Sequence, residues 1–514
     1  MKTRVVIVGG GTAGWLTAGI IAAKHCANTT DAPQTEVILV ESPDVKNLGV
    51  GEGTWPTMQN TLRKIGISEK AFLSCCDASF KQASKFVGWH SGNDEHYYHP
   101  FTVPMGYGTV NAAEHWSATD DNSGFETWVS GQGVICEQNL APKLATMPEY
   151  AYALNYGYHL NAGKFVTMLQ QHCVDKLKVK YTQGHVVHVL SQDNGDISSI
   201  VLADGQHVEG DLFIDCSGFA AILIGKHYQI PFISQQHILF NDTALAVQVD
   251  HLNDESPIAS STVATAQESG WIWDISLQNR RGIGHVFSSD FCSTDRAEEV
   301  LINYVKSDPH LSFRDVSARK IKFNPGHRKS FWHKNCVAIG VSAGFVEPLE
   351  ATALVLIEKS AEWICEQLPR DRRAMSVLAK RFNNLTLLRW QEIIDFLKLH
   401  YVLTSRNDSE YWQQHQKADS IPDSLQEALT LWRSQAPGLY ESNQRFELFS
   451  SASKQYILYG MGFVTAQKQN DSLHQKQASM VQRLRSETLH KTEKLLNALP
   501  TNRQLLNNIK NNLS

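Results

Sequence analysis

The chain has 514 residues, 42% hydrophobic and 19% charged, and its 47 basic against 52 acidic residues leave a net charge of −5. That is an ordinary globular balance over more than one ordinary domain length, with room for a core that encloses a large cofactor. It excludes the basic footprint of a nucleic-acid or acidic-membrane binder, and no apolar run approaches the ~18 residues that cross a bilayer.

The opening run Val5-Val6-Ile7-Val8 is broken at once by Gly9, too soon for a signal peptide. It reads instead as a buried strand over 4–8, followed by a glycine turn, a helix over 12–24 and a second strand over 36–41, a β-α-β unit. Residues 80–160 are rich in Trp, Tyr, His and Gly with weak periodicity, and are expected to be irregular. A helical pattern covers 164–178. Short strands follow at 178–190 and 198–203, with Asp204-Gly205 as a hairpin signal. Residues 211–218 form a strand that ends in a glycine turn, 243–291 read as β-rich, and 335–340 form a strand leading through a loop to a helix over 350–368. From 370 to 514 the pattern is mostly helical, and the polar tail from about 470 reads as solvated helix. Nine cysteines at irregular spacing, with no Cys-x-x-Cys pair, support neither a disulfide framework nor a metal site, and fit a reducing, cytoplasmic setting.

Gly9, Gly11 and Gly14, with Thr12 and Ala13 between them, stand between a strand and a helix. Glycines there allow a tight turn and close approach of a pyrophosphate, and the helix start offers free N–H groups. Glu41, 27 residues after Gly14, is placed to accept hydrogen bonds from a ribose. The bland alternative is a structural glycine turn, and the fingerprint serves FAD and NAD alike. Two later strand-turn segments favour a flavin, which lies extended and needs further loops. They contribute Ser217 and Gly218, then Gly340 and Gly344. Two ordinary core strands are the competing reading.

Four segments name a family. Gly49-Val50-Gly51-Glu52-Gly53-Thr54-Trp55-Pro56 resembles a flavin-covering loop, Gly-x-Gly-Glu-Ala-Thr-x-Pro. Ser79-Phe80-Lys81 resembles a segment carrying a catalytic lysine. Gly270-Trp271-Ile272-Trp273-Asp274-Ile275-Ser276 resembles Trp-x-Trp-x-Ile-Pro, and Pro348-Leu349-Glu350-Ala351-Thr352-Ala353 resembles Pro-Leu-Glu-Ser-Thr-Gly. Together they resemble the FAD-dependent tryptophan halogenases over residues 4 to 465. Two departures stand out. Ser276 replaces the signature proline, and Ala353 replaces a glycine that would permit φ > 0.

The resemblance implies an α/β fold: a Rossmann-like FAD-binding domain of the flavin monooxygenase type, a β-rich substrate region and a helical C-terminal part. The expected segments are 1–90, 151–235 and 331–370 for the flavin and halide, 91–150 as a substrate-side insertion, 236–330 as the β-rich region and 371–514 as the helical end. It further implies that FADH2, O2 and a halide (bromide or chloride) yield hypohalous acid, which halogenates an indole or tryptophan-like ring. Lys81 would hold and activate the hypohalous acid, where the bland alternative is a solvated lysine on a helix face. Glu350 would take the ring proton, or act as a first-turn helix acid. Thr352 and Ala353 would bind halide, and Gly49, Val50, Gly51 and Glu52 would cover the flavin. Trp271 and Trp273 would wall a tunnel, or be alternating core aromatics of a strand. His99 and Phe101 would sandwich the substrate ring. The implied partners are a separate flavin reductase, a small aromatic substrate and a second copy in a homodimer. The rival activity is hydroxylation by a two-component flavin monooxygenase.

Overall fold

A computed structural model of the protein describes residues 3–26, 35–44, 51–116, 124–312, 317–441, 447–466 and 472–511. Two compact units emerge, each assembled from three chain segments.

The first unit gathers Met1–Ala78, Leu160–Gln235 and Asn324–Trp390. Its central strand, Thr3–Val8, pairs in parallel with Thr35–Glu41 on one side and Leu212–Asp215 on the other. Across the six-stranded sheet the order is Trp332–His333, Cys336–Ala338, Leu212–Asp215, Thr3–Val8, Thr35–Glu41, Lys180–Gln183. Strands covered on both faces need unbroken apolar runs rather than alternation, and Val5, Val6 and Ile7 are accordingly fully buried. Helix Thr12–His25 links the first two strands and is buried from Gly14 through Ala22, as its apolar composition on every side demands. The expected strand over 178–190 is divided. Lys180–Gln183 joins the parallel sheet. After Gly184, whose N–H donates to the Glu41 carbonyl at 2.9 Å, Val186–Ser191 joins an antiparallel sheet with Ile197–Leu202 and His207–Glu209. The Asp204-Gly205 hairpin is present, with Gly205 at φ +86°.

The second unit gathers Ser79–His159, Gln236–Phe323 and Gln391–Ser514. It is built on a seven-stranded sheet in the order Arg319–Lys322, Thr243–Asp250, Arg280–Phe287, Gly270–Ser276, Ser261–Gln267, Ala83–Val87, His96–Pro100. Neighbours are antiparallel except Ser261–Gln267 with Ala83–Val87. The β-rich expectation for 243–291 is met, but residues 80–160 are not irregular. They supply the last two strands of this sheet, and Ser79–Lys81 paired with Gly157–His159. These strands are short, and Ala83–Val87 and Ser79–Lys81 are anchored by partners far along the chain, a context that local periodicity does not carry.

Strand Gly270–Ser276 is buried along its whole length. Ile272 packs with Leu245, Val247, Val249, Ile283 and Phe287, and helix Thr294–Ser307 closes this face with Ala297, Leu301 and Val305. Burying each large aliphatic here contributes about 1.5–3 kcal/mol, enough to fix which face the alternate residues Trp271 and Trp273 must occupy. The C-terminal part is helical as expected: Arg372–Val402, Glu410–His415, Asp423–Ser434, Ser451–Gly460, Ser472–Ala498 and Asn502–Asn511. The tail is not solvated throughout, since the last helix buries Asn502, Arg503, Leu505 and Leu506. Among the described residues no helix is long and apolar enough to cross a membrane.

Candidate functional site

In the first unit the glycine turn is as tight as its composition suggests. Gly9 sits at φ +117° and donates its N–H to the Val40 carbonyl at 2.8 Å. A Cβ on Gly10 would lie 2.2 Å from the Glu41 carboxyl carbon, and one on Gly14 only 1.9 Å from the Gly9 carbonyl oxygen. Helix Thr12–His25 starts at Gly11 with no side-chain cap, so its first N–H groups present a positive end. Glu41 is half-buried beside this turn and accepts from the Tyr181 hydroxyl at 3.1 Å. Burial raises its pKa, and the Tyr181 hydrogen bond opposes that rise. A pyrophosphate at the helix start and a ribose at Glu41 suit this donor and acceptor set.

The later loops converge on the same unit. Gly340, at φ +76°, approaches helix Thr12–His25 so closely that a Cβ would lie 2.8 Å from that of Ala13. A Cβ on Gly344 would meet Trp390 at 2.6 Å. Gly218 has nothing within 4 Å of its Cβ position, so its turn borders open space. What holds that turn was missed in the sequence. Asp215, fully buried at the end of its strand, accepts from the Ser217 N–H (3.0 Å) and hydroxyl (2.6 Å) with one oxygen. The other oxygen accepts from the Leu223 and Ile224 N–H groups, both at 2.8 Å. A carboxylate closing a Leu-Phe-Ile run was the available signal, because a buried charge has to find donors.

Gly49 and Val50 lie outside the described residues. The rest of their loop is present. Gly51–Gly53 is a short strand, burial pushes the Glu52 carboxyl up to about 7, and the Trp55 indole N–H donates to the Glu350 carbonyl at 2.8 Å. The flavin-type loop is thereby tied to the segment proposed for halide. There Ala351 adopts φ 54°, ψ 42° and forms the N-cap of helix Thr352–Glu366. Two expectations change. Ala353 is ordinary helix, and the left-handed conformation falls instead on Ala351. Glu350 precedes the cap, so it is not a first-turn helix acid; it is buried, as is Thr352.

The second unit holds the remaining candidates. Lys81 is 1% exposed, at the end of a strand rather than on a solvated helix face, and its ammonium lies 5.4 Å from the centre of the Phe101 ring. Gly157 stands opposite it in the ladder and leaves its side chain room; His159 is its diagonal neighbour on the same face. Burial, reinforced by the Lys81 charge, pushes the His159 imidazole well below its usual range, and its Nε2 meets the Thr262 hydroxyl at 2.8 Å. The Trp271 and Trp273 rings lie 6.4 Å apart on one strand face, and Trp89, absent from the sequence reading, lies 6.3 Å from Trp271. His99 is buried, 5.8 Å from Phe396 and 6.1 Å from Tyr456. Ser276, in place of the signature proline, accepts from the Ser79 hydroxyl at 2.5 Å through its carbonyl. Lys81 thus meets Phe101, and Trp271 meets Trp273, while the flavin and halide candidates belong to the first unit.

A parallel dinucleotide fold with these extra loops, carried together with an antiparallel aromatic-lined unit, defines a flavoprotein of the FAD-dependent halogenating class. The tryptophan halogenase family pattern matches residues 4–477. A crystal structure of a tryptophan halogenase from Shewanella frigidimarina NCIMB 400 superposes with a TM-score of 0.95 at 43% identity, covering 99% of this chain and 97% of that one. Tryptophan 7-halogenase RebH of Lentzea aerocolonigenes is 30% identical over 505 residues, 93% of this chain and 92% of its own. Tryptophan 6-halogenase SttH of Streptomyces toxytricini is 31% identical over 482 residues, 90% of each chain. The chain belongs to the tryptophan halogenase family, and the hydroxylating alternative is not favoured.

Proposed function

We propose that this halogenase acts on a small indole-type aromatic, with Lys81 as the residue that holds the halogenating species against the ring. The observation that carries this reading is the buried Lys81 ammonium, 5.4 Å from the Phe101 ring centre, in the unit that also contains His99 and the Trp271–Trp273 pair. FAD would be held by Gly9 to Gly14, Glu41, the Gly51–Pro56 loop, Ser217, Gly218, Gly340 and Gly344. Reduced and bound, it supplies with O2 the two-electron oxidation that turns halide into hypohalous acid. Thr352 and Ala353 offer backbone N–H groups at a helix start to the halide. Lys81 donates a hydrogen bond to the hypohalous oxygen, which makes the halogen more electrophilic. The halogen replaces a ring hydrogen, the departing oxygen takes a proton from the Lys81 ammonium and leaves as water, and Glu350 accepts the ring proton, which returns to the lysine through solvent. Trp271 and Trp273 keep the aromatic substrate from the oxidising centre.

No segment of the sequence is matched to a clamp for an amino acid's ammonium and carboxylate, so the reading favours indole over tryptophan. A separate reductase delivers reduced flavin, since the sequence holds one dinucleotide fingerprint; a homodimer in the cytoplasm completes the proposal. The test supplies FAD, a flavin reductase, NADH and O2, and offers indole or tryptophan with bromide or chloride. Mass spectrometry should show a halogen isotope doublet that vanishes in Lys81→Ala, with kcat/KM higher for indole. Undiminished product from Lys81→Ala would overturn the assignment of that lysine, and a strong preference for tryptophan would overturn the open-site reading.

A further inference from the structure

The family match ends at residue 477, yet the chain beyond it reaches the strand that carries Lys81. Helix Asn502–Asn511 begins with a reciprocal cap: the Gln504 N–H donates to the Thr501 hydroxyl (3.1 Å), and the Gln504 side chain accepts from the Thr501 N–H (2.9 Å). The segment before it is stitched to residues 139–141. The Ala141 N–H donates to the Pro500 carbonyl (2.9 Å), the Asn502 N–H to the Asn139 carbonyl (2.8 Å), and Leu140 bridges Thr501. Asn502 is fully buried, and its Nδ2 donates to the carbonyl of Phe80 at 3.0 Å, the residue immediately before Lys81. The adjacent Arg503 donates to the Ser256 carbonyl (2.9 Å) and to the Gln278 carbonyl (2.6 Å), two residues past the strand of Trp271 and Trp273.

The other side of Lys81 is bound into the same network. The Gln82 N–H donates to the Ser260 carbonyl at 2.7 Å, its side chain to the Leu140 carbonyl at 2.7 Å, and its carbonyl accepts from the Phe101 N–H at 3.0 Å. Leu140 is the residue paired with Thr501. A three-residue strand has little ladder of its own, so these external bonds determine how its backbone lies. A lysine side chain is a long lever, and small rotations of its backbone move the ammonium far.

We infer that Asn502 is a positioning residue for Lys81, and that residues 500–503 form a C-terminal clasp that aims the lysine. This rests on the reading of Lys81 as the residue that handles the halogenating species. Full-length Asn502→Asp keeps the shape and replaces the donor facing the Phe80 carbonyl with an acceptor. The assay above, run with indole and bromide, would measure brominated indole alongside hypobromous acid caught by a diketone trap. Product formation in Asn502→Asp should fall by about 10- to 100-fold, as expected for a misplaced group, while trapped oxidant rises. A purely structural loss would lower both together and leave their ratio unchanged. Lys510→Ala, on the exposed end of the same helix, should behave as the native chain. Thr501→Ala, which keeps the Asn502 side chain but loosens the cap that seats it, gives the same ratio test where Asn502→Asp does not accumulate. A native ratio of product to trapped oxidant in the folded Asn502 or Thr501 variant overturns the inference. A native ratio in Lys81→Ala overturns the reading of Lys81 beneath it.

Discussion

Ala351 occupies a left-handed conformation that costs an L-residue with a Cβ about 1–2 kcal/mol relative to right-handed backbone. Ala353, two residues later, is in ordinary helix, where glycine is worse than alanine by about 0.5–1 kcal/mol. The two alanines of Ala-Thr-Ala therefore respond in opposite senses to the same change. Equilibrium urea unfolding should show Ala351→Gly stabilised by up to about 1 kcal/mol and Ala353→Gly destabilised by about 0.5–1 kcal/mol; the reverse order would mean that the left-handed residue has been misassigned. The resemblance to Pro-Leu-Glu-Ser-Thr-Gly pointed to Ala353, because that pattern has glycine there. Only the backbone shows that the unusual conformation lies two residues earlier.

At the scale of single elements, Glu126 links two short helices. It lies in Phe125–Val129 and accepts the N–H of Gly133 at 2.8 Å, near the start of Gln132–Glu137. Burial pushes its carboxyl up to about 8 from an ordinary 4.5. Between those values the folded chain holds a proton that the unfolded chain has released. The stabilisation is complete below pH 4.5 and is lost as pH rises through about 8, at about 1.4 kcal/mol per pH unit for one proton. Glu126→Gln should remove that slope from a stability-versus-pH series, and an unchanged slope would place the proton elsewhere. The C-terminal helix offers a second test, since Thr501→Ala deletes one half of its reciprocal cap and should cost about 1 kcal/mol in the same unfolding measurement. Elements differed in how far they could be read in advance. The strand, turn and helix over residues 3–25 were legible because an apolar run, three glycines and a helix start act locally. Strand Ala83–Val87 and its hairpin neighbour His96–Pro100 were not, because the pair is anchored to the sheet through Ser261–Gln267, far along the chain. Asn502 was invisible for the same reason: Thr501-Asn502-Arg503-Gln504 announces a cap but not what the asparagine touches.

Across the whole chain, each compact unit is made of three segments, so the backbone passes between the units five times. No single cut separates them. A chain ending at Trp390 keeps every segment of the first unit but leaves the second unfinished. Trp89 then loses Tyr401 at 5.3 Å and Trp412 at 5.6 Å, and the aromatic face around it meets water. Such a fragment should be recovered in the insoluble fraction while the full chain is soluble; a soluble, monomeric, FAD-binding fragment would show that the first unit tolerates its unfinished neighbour segments.

The clasp at Asn502 also sets a clock on biosynthesis. Its partner Phe80 precedes it by 422 residues. At the usual pace of a ribosome the wait between them is roughly 20–80 s. Through that interval a nascent chain carries its lysine unaimed. If synthesis stops early, by a nonsense codon or a stalled message, the product never acquires the bond that steers its oxidant. The clasp thus acts as a late checkpoint, which the enzyme passes only once its message has been read as far as residues 500–503.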